Sequence, residues 1–81
     1  MHDSRNPELL SAFAVEMKAR RNALGISQEE LAHRASVDRT FVARMETARN
    51  QPTLSVLFRL CDGLGVAPEE FVAQTRLRMQ K

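Results

Sequence analysis

Four arginines fall within residues 34–49, at Arg34, Arg39, Arg44 and Arg49, and the only acids among them are Asp38 and Glu46. Arginine's planar fork grips a phosphate or a guanine edge with two hydrogen bonds at once, whereas lysine is a flexible point charge. Ten of the twelve cations in the chain are arginine. The bias favours a surface that meets nucleic acid, although genomic composition would produce the same excess. Polar donors surround the strip: Gln28 before it, Thr40 beside Arg39, and Asn50, Gln51 and Thr53 after Arg49. These groups act together only where rigid elements hold them in one arrangement.

The elements that must do so are legible from caps and apolar spacing. Residues 27–54, SQEELAHRASVDRTFVARMETARNQPTL, read as a capped helix, a short turn, a second helix opening with Asp-Arg-Thr, a basic loop and the start of a third helix. Ser27 is an N-cap with Glu30 three residues on, the reciprocal capping box, and this helix is expected to reach about Ala35. The next follows Ser36-Val37, with Asp38 as cap and Val42 and Met45 facing inward, and ends near Glu46 or Thr47. Upstream, Asn6 caps a helix with Pro7 at its first position and Glu8 in its first turn; it ends before Gly25, with Leu10, Phe13, Met17 and Leu24 near one stripe. Downstream, Thr53 caps a helix whose Leu54, Leu57, Phe58 and Cys61 recur at three and four residues, with Gly65 as its stop. A fifth helix begins at Pro68-Glu69-Glu70 and carries Phe71, Val72 and Leu77, with fraying expected after about Arg78. The fold class is all-α, a compact five-helix domain.

Composition narrows what such a domain can be. The chain has 81 residues, 43% hydrophobic and 27% charged, with a formal net charge of +2, which fits one small globular domain and argues against disorder. A sizeable catalytic cleft is not expected. No apolar run approaches the roughly 18 residues of a membrane span, and the polar start MHDSRNPE lacks a signal peptide's apolar stretch. A cytoplasmic, nucleoid-associated location and no membrane partner are expected. Lone Cys61 reads as a small apolar core residue. His2 and His33 lack metal-ligand spacing, and no phosphate-cradling glycine loop or HExxH motif is present, so neither metal, cofactor nor catalysis is expected.

The same residues carry a resemblance. SQEELAHRA, SVDRTFVAR and the glutamate Glu46, with RRNALGIS upstream and PTLSVLFRLCDGLGVAPEEF downstream, resemble the phage-repressor (Cro/cI-like, XRE) helix-turn-helix family over roughly residues 9–72. The opening Asp38-Arg39-Thr40-Phe41 is most similar to the controller proteins of restriction-modification systems. The resemblance implies a lambda-repressor-like DNA-binding domain over 1–81, with its core at about 7–73 and the helix-turn-helix at 27–47. It implies that Gln28 binds backbone phosphate and touches the recognition helix, that Arg21 and Glu46 form an ion pair between the first and third helices, and that the chain dimerises through its C-terminal helices. A glycine is common in the family two residues after the glutamate. Here Ala48 stands, so the turn must close without an easy positive φ.

On the recognition helix only the N-terminal, outward side chains can reach base edges. Arg39, Thr40 and Arg44 are the candidates; Phe41 would either meet a thymine methyl or base step or complete the core. Gln28, Arg49, Asn50, Gln51 and Thr53 are candidates for phosphate. One such helix spans only a few base pairs, so a homodimer on a (pseudo)palindromic DNA operator is expected, with Leu64, Val66, Phe71 and Val72 as interface candidates and RNA polymerase as a further candidate partner. Two alternatives stay open: an antitoxin or phage-type repressor that also binds a protein, and a helical interaction module without DNA binding.

Overall fold

The computed structural model describes residues 5–79. Five helices follow one another: α1 Pro7–Ala23, α2 Gln28–Ala35, α3 Arg39–Glu46, α4 Leu54–Leu64 and α5 Pro68–Met79. Three begin where an oxygen-bearing side chain takes an otherwise orphaned amide. Asn6 Oδ1 accepts from Leu9 N at 3.0 Å, Ser27 Oγ from Glu30 N at 3.0 Å, and Thr53 Oγ1 from Val56 N at 3.1 Å. Two expected caps differ. The Asp38 side chain makes no cap bond, and only its carbonyl accepts, from Phe41 N and Val42 N. The Glu30 carboxylate takes Arg34 Nε at 2.9 Å, one turn along, so the Ser27 cap is supported from one side only.

The helix ends share one device. After α1, α2, α3 and α4 the chain turns through a left-handed residue, at Gly25, Ser36, Ala48 and Gly65. In each case the next amide reaches back to a carbonyl five residues earlier, as Arg49 N does to Arg44 O at 2.8 Å and Val66 N to Cys61 O at 3.0 Å. This is the Schellman arrangement, which satisfies carbonyls the helix leaves over. Gly25 and Gly65 adopt it freely, but Ser36 and Ala48 carry a Cβ into a conformation that costs about 1–2 kcal/mol. Ala48, at φ +61°, thus closes this turn through a positive φ without the ease that glycine would give it.

The core gathers Phe13 and Met17 of α1, Leu31, Ala32 and Ala35 of α2, Val42 and Met45 of α3, Leu60, Cys61 and Leu64 of α4, and Phe71 of α5. Helix α4 is amphipathic, with Ser55, Arg59 and Asp62 on its exposed face, and Leu54 and Phe58 lie on a flank beside the buried face. Val56, Leu60, Cys61 and Leu64 are buried, while Leu54 is 71% and Phe58 51% exposed. Leu24, Val72 and Leu77 likewise lie outside the core. Leu64 and Phe71, 5% and 1% exposed, are core residues and cannot also form an interface, and Val66 packs against that core half-buried; of the four interface candidates only Val72 is exposed. Burial pushes the Cys61 thiol up to about 11, which keeps it protonated and inert.

Helix α5 stays regular to Met79 because α1 holds it at both ends. The Phe13 and Phe71 rings lie 5.3 Å apart, and buried Glu16 accepts from Arg20 and, at 2.7 Å, from Arg78 Nε. Burial pushes the Glu16 carboxyl upward, but the bonds from Arg78 and Arg20 outweigh it and hold it below its ordinary value. No described helix is long and apolar enough to cross a membrane.

Candidate nucleic-acid interface

Helix α3 is divided lengthwise. Val42 and Met45, three residues apart, are fully buried where α3 packs on α1 and α2, which turns Arg39, Thr40 and Arg44 into solvent. Phe41 is half-buried and packs against the core, so part of its ring serves the interior and part remains at the surface. Three guanidinium or hydroxyl groups thus stand as a ridge on the exposed side of α3 within about one and a half turns.

What fixes that ridge is a charged brace under its far end. The Glu46 carboxylate, with a side chain 2% exposed, accepts from Arg21 Nε at 2.6 Å and Arg21 Nη2 at 3.0 Å. Arg21 Nη1 also donates to the Ile26 carbonyl at 2.8 Å, tying α1, the α1–α2 turn and α3 to one point. Gln28 Nε2 donates to Glu46 Oε1 at 3.0 Å. Burial pushes the Glu46 carboxyl upward, but hydrogen bonds from Arg21 and Gln28, with the charges of Arg21 and Lys18, carry it below its ordinary value. Arg21 is raised, chiefly by its bond to Glu46. Both partners are therefore charged across the neutral range, and their buried pairing is complete.

Gln28 is thereby aimed: one amide hydrogen is spent on Glu46, leaving the second and its carbonyl oxygen for a ligand. Beyond α3, Arg49 and Gln51 are exposed and Asn50 half-buried, while Thr53 Oγ1 is occupied as the acceptor of the α4 cap. Arg34, a member of the basic strip in sequence, points away from it. Arg34 Nη1 donates to the Gly63 carbonyl at 3.2 Å, and Arg59 Nε returns the arrangement by donating to the Ala35 carbonyl at 3.1 Å. Each arginine caps the other's helix, so α2 and α4 are cross-linked end to end. Sequence spacing gives no sign of this, nor of the Glu16 to Arg78 bond that spans 62 residues.

His33 is exposed, and His2 lies outside the described residues. Among the described residues no three His, Cys, Asp or Glu side chains gather as a metal site would need.

A family model described as helix-turn-helix matches residues 17–71. A protein of Neisseria meningitidis serogroup B described as a hypothetical transcription factor is 33% identical over 73 residues, covering 90% of this chain and 69% of that one. The restriction-modification controller protein C.AhdI from Aeromonas hydrophila is 31% identical, with a TM-score of 0.75 over 76% of this chain and 94% of that one. The controller protein C.Esp1396I, solved as a tetramer in complex with its natural 35 base-pair operator, is 29% identical, with a TM-score of 0.82 over 90% of this chain and 96% of that one.

Proposed function

This chain belongs to the helix-turn-helix family, and from that premise we propose that it is a sequence-specific DNA-binding transcriptional regulator that reads a (pseudo)palindromic operator as a homodimer, in the manner of a restriction-modification controller protein. The observation that carries the reading is the braced ridge: α3 presents Arg39, Thr40 and Arg44 outward while Arg21 and Glu46 clamp it from beneath. Arg39 and Arg44 reach guanine O6 and N7, Thr40 supplies a hydroxyl and a methyl, and the exposed part of Phe41 lies against a thymine methyl. Gln28, Arg49, Asn50 and Gln51 grip phosphate and set the register, and the remaining hydroxyl hydrogen of Thr53 serves the same backbone. The controller C.Esp1396I on its own operator supports both the DNA partner and the use of more than one copy. RNA polymerase is the further partner this reading admits.

The dimer surface moves with the correction of the core. Leu64 and Phe71 are withdrawn; Val72 remains, joined by exposed Leu9 and Leu54, which line the same cleft. Leu9, Leu54 and Val72 rim an apolar cleft of about 260 Å³ whose floor is Leu10, Phe13, Leu57 and Phe71. A two-fold interface requires one patch to carry both projection and recess, and Leu54 beside this cleft meets that requirement. Footprinting on the DNA upstream of the protein's own gene tests the whole reading. Two protected half-sites about one helical turn apart are expected, with Arg39→Ala losing the preference for that site over random duplex; affinity for DNA that does not fall with salt would overturn it.

A further inference from the structure

Helix α1 lies behind the helix-turn-helix and carries none of the residues so far placed on DNA. Its cations nevertheless divide between two sides. Arg20 reaches toward α5, donating to Glu16 and Glu70 and standing 5.9 Å over the Phe71 ring. Arg21 reaches toward α3 and Glu46. Lys18 lies about 60° around the helix from Arg21 and about 160° from Arg20, which puts it on the α3 side. It is exposed, and its charge reaches the Glu46 carboxylate that Gln28 also touches. Arg21 and Gln28 make the hydrogen bonds to both Glu46 oxygens, so Lys18 acts on the brace only through its charge and its ammonium makes no bond there.

Resting on the DNA-binding reading above, we propose that Lys18 is a phosphate contact outside the helix-turn-helix, extending the DNA-backbone grip from the start of α2 onto α1. Arg21, one turn from Lys18 on α1, bonds the same Glu46 carboxylate that Gln28 touches. A four-carbon stem lets the Lys18 ammonium meet the phosphate next to the one that Gln28 takes, adding a point charge where geometry is loose and no fork is needed. Such a contact adds affinity without sequence preference.

Lys18→Ala and Lys18→Arg are compared with the unaltered chain on a short random-sequence duplex and on the upstream DNA, across a salt series. Each phosphate neutralised contributes about 0.9 to the slope of log affinity on log salt. Lys18→Ala is expected to reduce the slope by about that amount per bound domain on both duplexes, Lys18→Arg to restore it, and the thermal midpoint to stay put in both. An unchanged slope in Lys18→Ala, with the parent chain binding normally, overturns the proposal alone. A lowered midpoint with an unchanged slope also overturns it, since Lys18 would then serve only the brace. A parent chain without salt-dependent binding overturns the DNA-binding reading and this contact together.

Discussion

The Glu46 carboxylate meets the Arg21 guanidinium at two points, Oε2 to Nε at 2.6 Å and Oε1 to Nη2 at 3.0 Å, across the junction of α1 and α3. Because both side chains are withdrawn from solvent, removing one strands the other. Arg21→Ala is expected to cost about 3–5 kcal/mol, read as a shift in the urea midpoint. Replacing both, as Arg21→Met with Glu46→Leu, should recover most of that loss, since a packed apolar pair dispenses with the desolvation. The double variant should still bind DNA weakly, because Gln28 has lost the oxygen that aims it. If the double variant binds as the parent does, the brace does not position Gln28.

The same carboxylate gives a pH dependence whose sign is fixed. Glu46 and Glu16 both sit below the ordinary value of 4.5, so the folded chain binds their protons less readily than the unfolded one. Their contribution is complete above that value and is lost as the pH falls through the lower folded values. Urea midpoints should therefore be level from pH 7 to about 5 and decline below about 4.5. Glu46→Gln should make the decline shallower, with Glu16 supplying what remains. A decline unaltered in Glu46→Gln would remove Glu46 from the cause.

Ala48 holds φ +61° in the turn that delivers Arg49. Glycine adopts this conformation without strain but adds entropy to the unfolded chain, so Ala48→Gly should stabilise by about 0.5–1 kcal/mol. Thermal melts decide it, and a lower midpoint would mean the loop closes in another way.

Gly63 is a glycine inside a helix, which ordinarily weakens it by about 1 kcal/mol relative to alanine. A Cβ there would lie 3.0 Å from Arg34 Cβ and 3.3 Å from Leu31 Cδ1. Overpacking of that kind costs about 1–3 kcal/mol, which exceeds the gain in propensity. Gly63→Ala is thus expected to lower the melting temperature despite the better helix former. A raised midpoint would show that α2 and α4 can separate slightly without loss.

How far the sequence was legible follows from range. Caps and stops are local, so Asn6, Ser27, Thr53 and Gly65 could be read from neighbours three or four residues away. The inward face of α3 was equally plain, because Val42 and Met45 are its only large apolar residues besides Phe41. Helix α4 was read one flank off: the exposed stripe Ser55, Arg59 and Asp62 sets its outward phase, but the spacing of Leu54, Leu57, Phe58 and Cys61 was followed, whereas Val56, Leu60, Cys61 and Leu64 are the buried set. That error carried Leu64 onto the surface. At Ala48 the absent glycine signalled a turn under strain, and the hydrogen bonds from Ala48 and Arg49 to α3 outweigh the strain of its Cβ. Glu16 with Arg78, and Arg34 with Gly63, join residues far apart in sequence, and no local pattern announces such pairs.

Leu54 offers the sharpest test of the self-association surface, because its side chain can be changed at little risk to the fold. At 71% exposure it contributes almost nothing to the core, whereas Leu64 at 5% would take the core with it. Leu54→Asp should leave the unfolding free energy of the isolated chain within about 0.5 kcal/mol of the parent. Its charge would meet the apolar cleft of a second copy, and the dimer would dissociate at concentrations where the parent remains paired. Loss of one half of a bivalent grip costs about a hundredfold in affinity, so the upstream site should be bound correspondingly less tightly. Binding to random duplex by each single domain should keep the parent's salt slope per domain. Sedimentation velocity reads the first effect and a salt-titrated binding curve the second. A Leu54→Asp chain that sediments as a dimer would place the interface elsewhere, while a monomer that still binds the upstream site at the parent's affinity would detach operator recognition from pairing.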